Sequence, residues 1–208
     1  MRSVSRENAG YSKRQVQKHL GYIGAIFKVA KVYNPGTDLD KPRVKRGKVT
    51  FFYHSEVERI REHLGEQDSA RVLVMSRIGL RRGEIVALRW MDVDFSGEQV
   101  HVRKNYVEGE EKDPKDHEVR SVPLQEDALQ TLAALSLRER FTDSSDLVFP
   151  RWDGCHQDPD GLSKRFRKAK QATGLDRGTL EHLRHTFATY ALRHARRDPC
   201  RRAEVAWA

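Results

Sequence analysis

Three basic side chains sit where they could handle a phosphate group. Arg81 follows a helix-ending glycine in "GLRRGEIVALRW", Lys115 lies in a charged turn between two strand-like segments, and Arg184 stands in "EHLRHTFAT", near a helix start. An arginine at a helix N-terminus offers a planar fork of donors, and the unpaired backbone N–H groups there point the same way. The ordinary alternative for each is a solvated or acid-paired side chain, so the elements that hold them matter.

Those elements can be read from spacing. "YSKRQVQKHLGYIGAIFKVAKVYNPG" predicts one long helix: Ser12 and Gln15 form a capping box, and Val16, Leu20, Ile23, Phe27 and Ala30 recur at helical intervals. Asn34-Pro35-Gly36 is expected to stop it. A basic linker follows, then a helix in "HSEVERIREHLG", with Ser55 and Glu58 as its capping box and Gly65 as its end. "SARVLVMSRIG" predicts a third helix ending at Gly79, and "GEIVALRW" starts a fourth. The period then changes to two. "EQVHVRKNYV" is expected to be one strand and "HEVRSVPL" its partner, joined through the charged loop "EGEEKDPKD". "QEDALQTLAALSLRERF" and "GLSKRFRKAKQATG" return to helix, the second carrying Lys164, Arg165, Arg167, Lys168 and Lys170.

Charge placement adds a partner class. The chain of 208 residues has a formal net charge of +9. Residues 1–50 hold 12 Lys/Arg against 3 Asp/Glu, whereas residues 51–208 hold 27 of each, so the excess is one basic leader before a balanced domain. Such a leader suits a polyanion, because neutralising nucleic-acid phosphates releases condensed counterions. A solvated basic face is the bland alternative. The polar start and the lack of a long apolar run predict a cytoplasmic chain with no membrane partner. Cys155 and Cys200 form no CxxC and are read as incidental thiols of a reducing compartment.

Taken in order, "IGLRRGEIVALRWMDVDF", "PKDHEVRSVPL", "DLVFP" and "LRHTFAT" resemble the catalytic domain of the tyrosine recombinases, the phage-integrase family. The resemblance covers residues 50–192. It implies an α+β fold: a mainly helical catalytic domain with a small antiparallel β-sheet, preceded by a basic helix and linker. Residues 1–35 are similar to a remnant of the family's N-terminal core-binding (SAM-like) helical domain, 36–49 to its basic connector, and 193–208 form a divergent basic tail. The implied activity is DNA strand breakage and rejoining for site-specific recombination and integration. The implied partners are double-stranded DNA and other recombinase subunits in a homo-oligomer on that DNA.

Residue by residue, the resemblance makes Arg81 and Arg184 the pair that holds the non-bridging oxygens of the scissile phosphate as a pentacoordinate transition state forms. Glu84 matches the acidic position that supports the first arginine, and Lys115 the hairpin lysine that protonates the leaving 5′-oxygen, with Lys112 as the fallback. No metal or cofactor is implied, since arginines supply the charge. Lys13, Arg14, Lys18, Arg43, Lys45, Arg46 and Lys48 are the candidate DNA-binding residues of the leader.

Two departures stand beside this. The family's histidine three residues before the second arginine is replaced by Glu181, and histidine falls one place later, at His182; a one-residue shift turns a helical side chain by about 100°. His185 matches a family histidine read as packing near the phosphate. Beyond Leu192 the family-like periodicity ends, and no residue matches the nucleophilic tyrosine. Tyr190 is read as a core-edge aromatic and Trp207 as a coincidence of count. The expectation is a family member truncated or frameshifted at both ends and inactive alone. The alternative is a non-catalytic DNA-binding protein that competes for recombination sites. A third pattern, a metal-dependent hydrolase on His182, His185 and His194, has two residues on one helical face, but the rest of a ligand set is not evident.

Overall fold

A computed structural model describes residues 10–39, 41–44, 49–113 and 119–197, with only the backbone for 194–197. The chain forms two compact units, residues 1–48 and 49–208.

In the first unit, α1 spans Lys13–Ala30. Its capping box is the expected one: Ser12 N–H donates to Gln15 Oε1 at 2.8 Å, and Gln15 N–H donates to Ser12 Oγ at 3.2 Å. Lys31 adopts the left-handed conformation and ends the helix, three residues before Asn34. A 3-10 turn, Pro35–Asp38, follows. Val16, Leu20 and Phe27 are half-buried, whereas Ile23 is exposed, and no residue of α1 is fully buried.

The second unit carries α2 (His54–Arg61), α3 (Glu66–Ile78), α4 (Arg82–Ala87), α5 (Glu126–Ser136), α6 (Pro159–Ala172) and α7 (His182–Arg197). Two small antiparallel sheets interrupt them. β1 (Val93–Asp94), β2 (Gln99–Val102) and β5 (Arg120–Pro123) form one, in the order β1-β2-β5, with Val100 opposite both Val93 and Val122. β3 (Asn105–Val107) and β4 (Glu110–Lys112) form the other. This mainly helical α+β arrangement agrees with the fold class expected from the sequence.

α3 is the axis of the core. Ten of its thirteen residues are buried, and a helix buried all round needs neighbours on every side. It packs against α2, α5 and α7. Even Arg71 is fully buried there, donating to Asp68 Oδ1 (3.2 Å), Gln157 Oε1 (3.0 Å) and Phe149 O (3.2 Å). Burial, opposed by Asp68, pulls its guanidinium pKa down to about 10.

Three local expectations are corrected. The second helix is capped two residues earlier, at Tyr53, whose N–H donates to Glu56 Oε2 at 2.8 Å, while Glu58 pairs with Arg61 and Arg77 instead of with Ser55. Gly65 does not end that helix but caps the start of α3, which therefore begins three residues before "SARVLVMSRIG". The expected single strand "EQVHVRKNYV" breaks at Arg103 and Lys104, which reach Asp92 and Asp113, and the charged loop holds a strand of its own. Glu108 and Gly109, both at positive φ, make the tight turn of that hairpin. β3 falls within the expected strand and sets Tyr106 against the core, but β4 is charged at every position, so no apolar alternation marks it in the sequence.

No helix among the described residues is long and apolar enough to cross a membrane. Gly79, at φ +66°, ends α3, and an added Cβ there would overlap the Phe187 ring of α7. Gly79→Ala is therefore expected to cost roughly 2–4 kcal/mol, from left-handed strain plus overpacking. Gly21→Ala, in open space within α1, should instead be neutral or stabilising. Urea denaturation of both variants, with equal effects, would refute this contrast.

Candidate functional site

The site begins where α3 stops. Gly79 turns the chain, Leu80 is buried behind it, and Arg81 becomes the N-cap of α4 with extended backbone angles. Arg81 N–H donates to Glu84 Oε2 at 2.7 Å, and its Nη1 donates to Glu84 Oε1 at 3.0 Å. The Glu84 side chain is 3% exposed, whereas that of Arg81 is 57% exposed. The carboxylate is thus an internal anchor, and the guanidinium stands at the surface.

A third residue, not singled out in the sequence, completes the anchor. Arg120 opens β5 and donates from Nη1 to Glu84 Oε1 at 2.9 Å and from Nη2 to Glu84 Oε2 at 2.6 Å. Burial by itself would raise the Glu84 pKa. The Arg120 fork, the Arg81 backbone N–H and the Arg81 side chain together outweigh it and hold the carboxyl below its ordinary value. The signal for Arg120 was the strand period: it stands two residues before the buried Val122, so both are on the inward face, where a guanidinium needs an acid.

Arg184 enters from the first turn of α7. Its Nη1 donates to Gly79 O at 2.7 Å, so the glycine that ends α3 also fixes the second arginine. The Arg184 pKa lies below its usual value, first through burial and then through the like charges of Arg81 and Arg120. Arg81 and Arg120 share one buried carboxylate, and Arg184 lies close enough to feel all three, so these four groups together carry a formal charge of +2. Such an unbalanced cluster beside open space has the charge and the donors to hold an anion. Arg81 lines one edge of a cleft of about 770 Å³, with Tyr106, Arg151, His156 and Glu181 among the other residues around it.

The start of α7 is held from two sides. Thr186 Oγ1 accepts Phe52 N–H at 2.9 Å and donates to His182 O at 2.9 Å. Lys170 is buried, and its Nζ donates to the carbonyls of Asp176, Arg177 and Gly178, shaping the loop before α7.

His182 has a structural task there. Its Nδ1 accepts Thr179 N–H at 3.0 Å, capping the helix start, which leaves the proton of the neutral ring on Nε2. Burial and the neighbouring His185 ring lower its pKa. His185 is exposed and meets His182 edge to face at 5.0 Å between centroids. Glu181 is exposed, and its charge acts on Arg184. Tyr190 is half-buried and stacks on His54 at 3.8 Å.

Lys13, Arg14, Lys18 and Arg43 lie exposed in the first unit, with Lys18 Nζ over the Tyr22 ring at 5.7 Å. Lys115, Lys45, Arg46, Lys48 and Trp207, and the His194 side chain, lie outside the described residues. The fallback Lys112 is in β4 and pairs with Glu108 at 3.6 Å. Among the described residues no group of three or more His, Cys, Asp or Glu could hold a metal ion.

Comparison with known proteins gives three kinds of match. The phage integrase family model matches residues 50–196. The tyrosine recombinase XerC of Oceanobacillus iheyensis is 27% identical over 196 residues, covering 87% of this chain and 62% of its own length. A XerC-like tyrosine recombinase of Caldanaerobacter subterraneus subsp. tengcongensis is 25% identical over 185 residues, 76% of this chain and 46% of that protein. The chain spans between 30% and 65% of the length of the curated relatives it matches. The fold is that of the Tn1549 transposon integrase in complex with a circular intermediate DNA, at a TM-score of 0.75, 14% identity and coverage of 97% of this chain and 74% of that one. Lambda integrase bound to DNA matches with a TM-score of 0.63 at 15% identity, over 84% of this chain and 64% of that one.

The Glu84 anchor has a pH signature. With its folded pKa depressed below the ordinary 4.5, its charge stabilises the fold above that value, and this is lost as pH falls through the lowered folded pKa. Glu84→Gln should be less stable than the parent at neutral pH, with the gap closing on acidification through the carboxylate range. Urea titrations at stepped pH showing a constant gap would contradict the assignment.

Proposed function

The chain belongs to the phage integrase family of tyrosine recombinases, and from that premise we propose that its second unit is a scissile-phosphate clamp for double-stranded DNA. Arg81 and Arg184 take the two non-bridging oxygens of one phosphodiester. Glu84 aims Arg81, and Lys115 delivers the proton to the departing 5′-oxygen. Arginines suit this role because their charge is permanent and their donors are planar and paired. The basic residues of the leader, Lys13, Arg14, Lys18, Arg43, Lys45, Arg46 and Lys48, neutralise flanking phosphates. One observation carries the reading: Arg81 and Arg184, 103 positions apart in "GLRRGE" and "LRHTFAT", are both fixed by the Gly79–Glu84 corner with excess positive charge.

The 3′-phosphotyrosyl step is a separate matter. Tyr190 is stacked on His54, with Arg193 5.8 Å from its ring, and in our reading it is a packing residue of α7. In our reading the attacking tyrosine is one other than Tyr190, and a recombinase subunit bound alongside on the DNA can supply it. A second reading, a non-catalytic protein that occupies recombination sites, is favoured by the same engagement of Tyr190 and by Glu181, whose negative charge stands where the family has a histidine.

Fluorescence anisotropy on a duplex tests the clamp. Arg81→Ala and Arg184→Ala should each weaken binding by roughly tenfold and reduce the salt slope by about one. Glu181→Gln should strengthen binding severalfold by removing a repelling charge. Unchanged affinity in both arginine variants sinks the clamp. Covalent product on a nicked duplex, formed only when a tyrosine-bearing family recombinase is added, separates the first reading from the second.

A further inference from the structure

The clamp as proposed leaves Arg120 without a task, yet Arg120 makes the most complete pairing in the site. Both of its terminal nitrogens are committed to the two oxygens of Glu84, at 2.9 and 2.6 Å. Arg81 gives the same carboxylate only one guanidinium nitrogen, at 3.0 Å, together with its backbone N–H. Two guanidinium groups thus share one charge, and the share is unequal. Arg120 is the less exposed of the two, with 22% of its side chain accessible against 57% for Arg81.

A carboxylate buried to this degree must be neutralised by whatever cation is within reach. With Arg81 as its sole partner, Glu84 would draw that guanidinium inward into a two-pronged pair and cancel its charge. Arg120 prevents this by occupying the two-pronged geometry itself.

We propose that Arg120 is a positioning residue for anion capture: by neutralising Glu84 it leaves the Arg81 guanidinium charged and outward, with the shared carboxylate fixing its aim. This rests on the phosphate-clamp reading and deepens it. Arg120 acts through Glu84 and is not itself a phosphate ligand. The like-charge effect of Arg120 on Arg184 fits the same arrangement, since it raises the positive potential across the whole corner.

The decisive experiment is a cycle on the full chain, with inorganic phosphate titrated while the arginine Nε–H resonances are followed by NMR. Arg120→Met should raise the apparent Kd about tenfold, the equivalent of one charge-assisted contact. Adding Glu84→Gln to that variant should bring the Kd back to within about threefold of the parent, because the carboxylate that captures Arg81 is then gone. Arg120→Lys, which keeps the charge but not the fork, should fall between parent and Arg120→Met; it also serves as the folded probe if thermal unfolding shows Arg120→Met to be collapsed. A structural support or a direct phosphate ligand would give no rescue in the double variant, and that result overturns the proposal. So does an Arg120→Lys chain as weak as Arg120→Met, or an Arg120→Met chain with unchanged Kd. Absence of any phosphate-dependent shift in the unmutated chain would sink the clamp reading itself, and this inference with it.

Discussion

A single buried carboxylate organises this corner of the molecule. Glu84 sits at the first turn of a six-residue helix, too short to be stable alone, and is almost wholly removed from solvent. Taking an ionised carboxyl out of water costs several kcal/mol unless every oxygen is satisfied. Here the backbone N–H and guanidinium of Arg81 and the fork of Arg120 meet that demand. The cost of burial forces α4 and β5 to one place, and the corner is as rigid as that pairing.

The second constraint is the backbone at Gly79. Its left-handed conformation lets α3 end against the Phe187 ring while its carbonyl receives Arg184. α3 is fastened on all sides by the core, so the glycine is a fixed point to which α7 is referred. Thr186 and Lys170 then set the height and the entry of α7. An arginine pair built on such elements is preorganised, and under the proposed clamp it would need little reorganisation when a phosphate arrives.

The departures from the family pattern also have physical content. His182 is one place from the family histidine, and its Nδ1 is spent on the Thr179 N–H, so it serves the helix start. Glu181 puts a negative charge beside Arg184 and the cleft. Both changes leave the arginine pair in place and alter only what surrounds it.

Helix spacing, the capping box at Ser12, the α+β alternation and the two motifs that hold Arg81, Glu84 and Arg184 were legible in the sequence, because each depends on residues within a few positions of one another. β4 was not legible, since its three residues, Glu110–Lys112, are all charged and carry no apolar period, whereas β3 lay within the segment read as strand. Glu58 was assigned to a cap, but its partners lie on its own helix and on α3, which a local rule cannot weigh. Arg120 is the sharpest case. From sequence it is one arginine among 39 basic residues. Only the pairing of β2 with β5 turns it inward, and only the packing of α4 presents it with a buried carboxylate 36 positions away. Local chemistry named Arg81 and Arg184; the long-range burial of one charge decided which arginine stands behind Arg81.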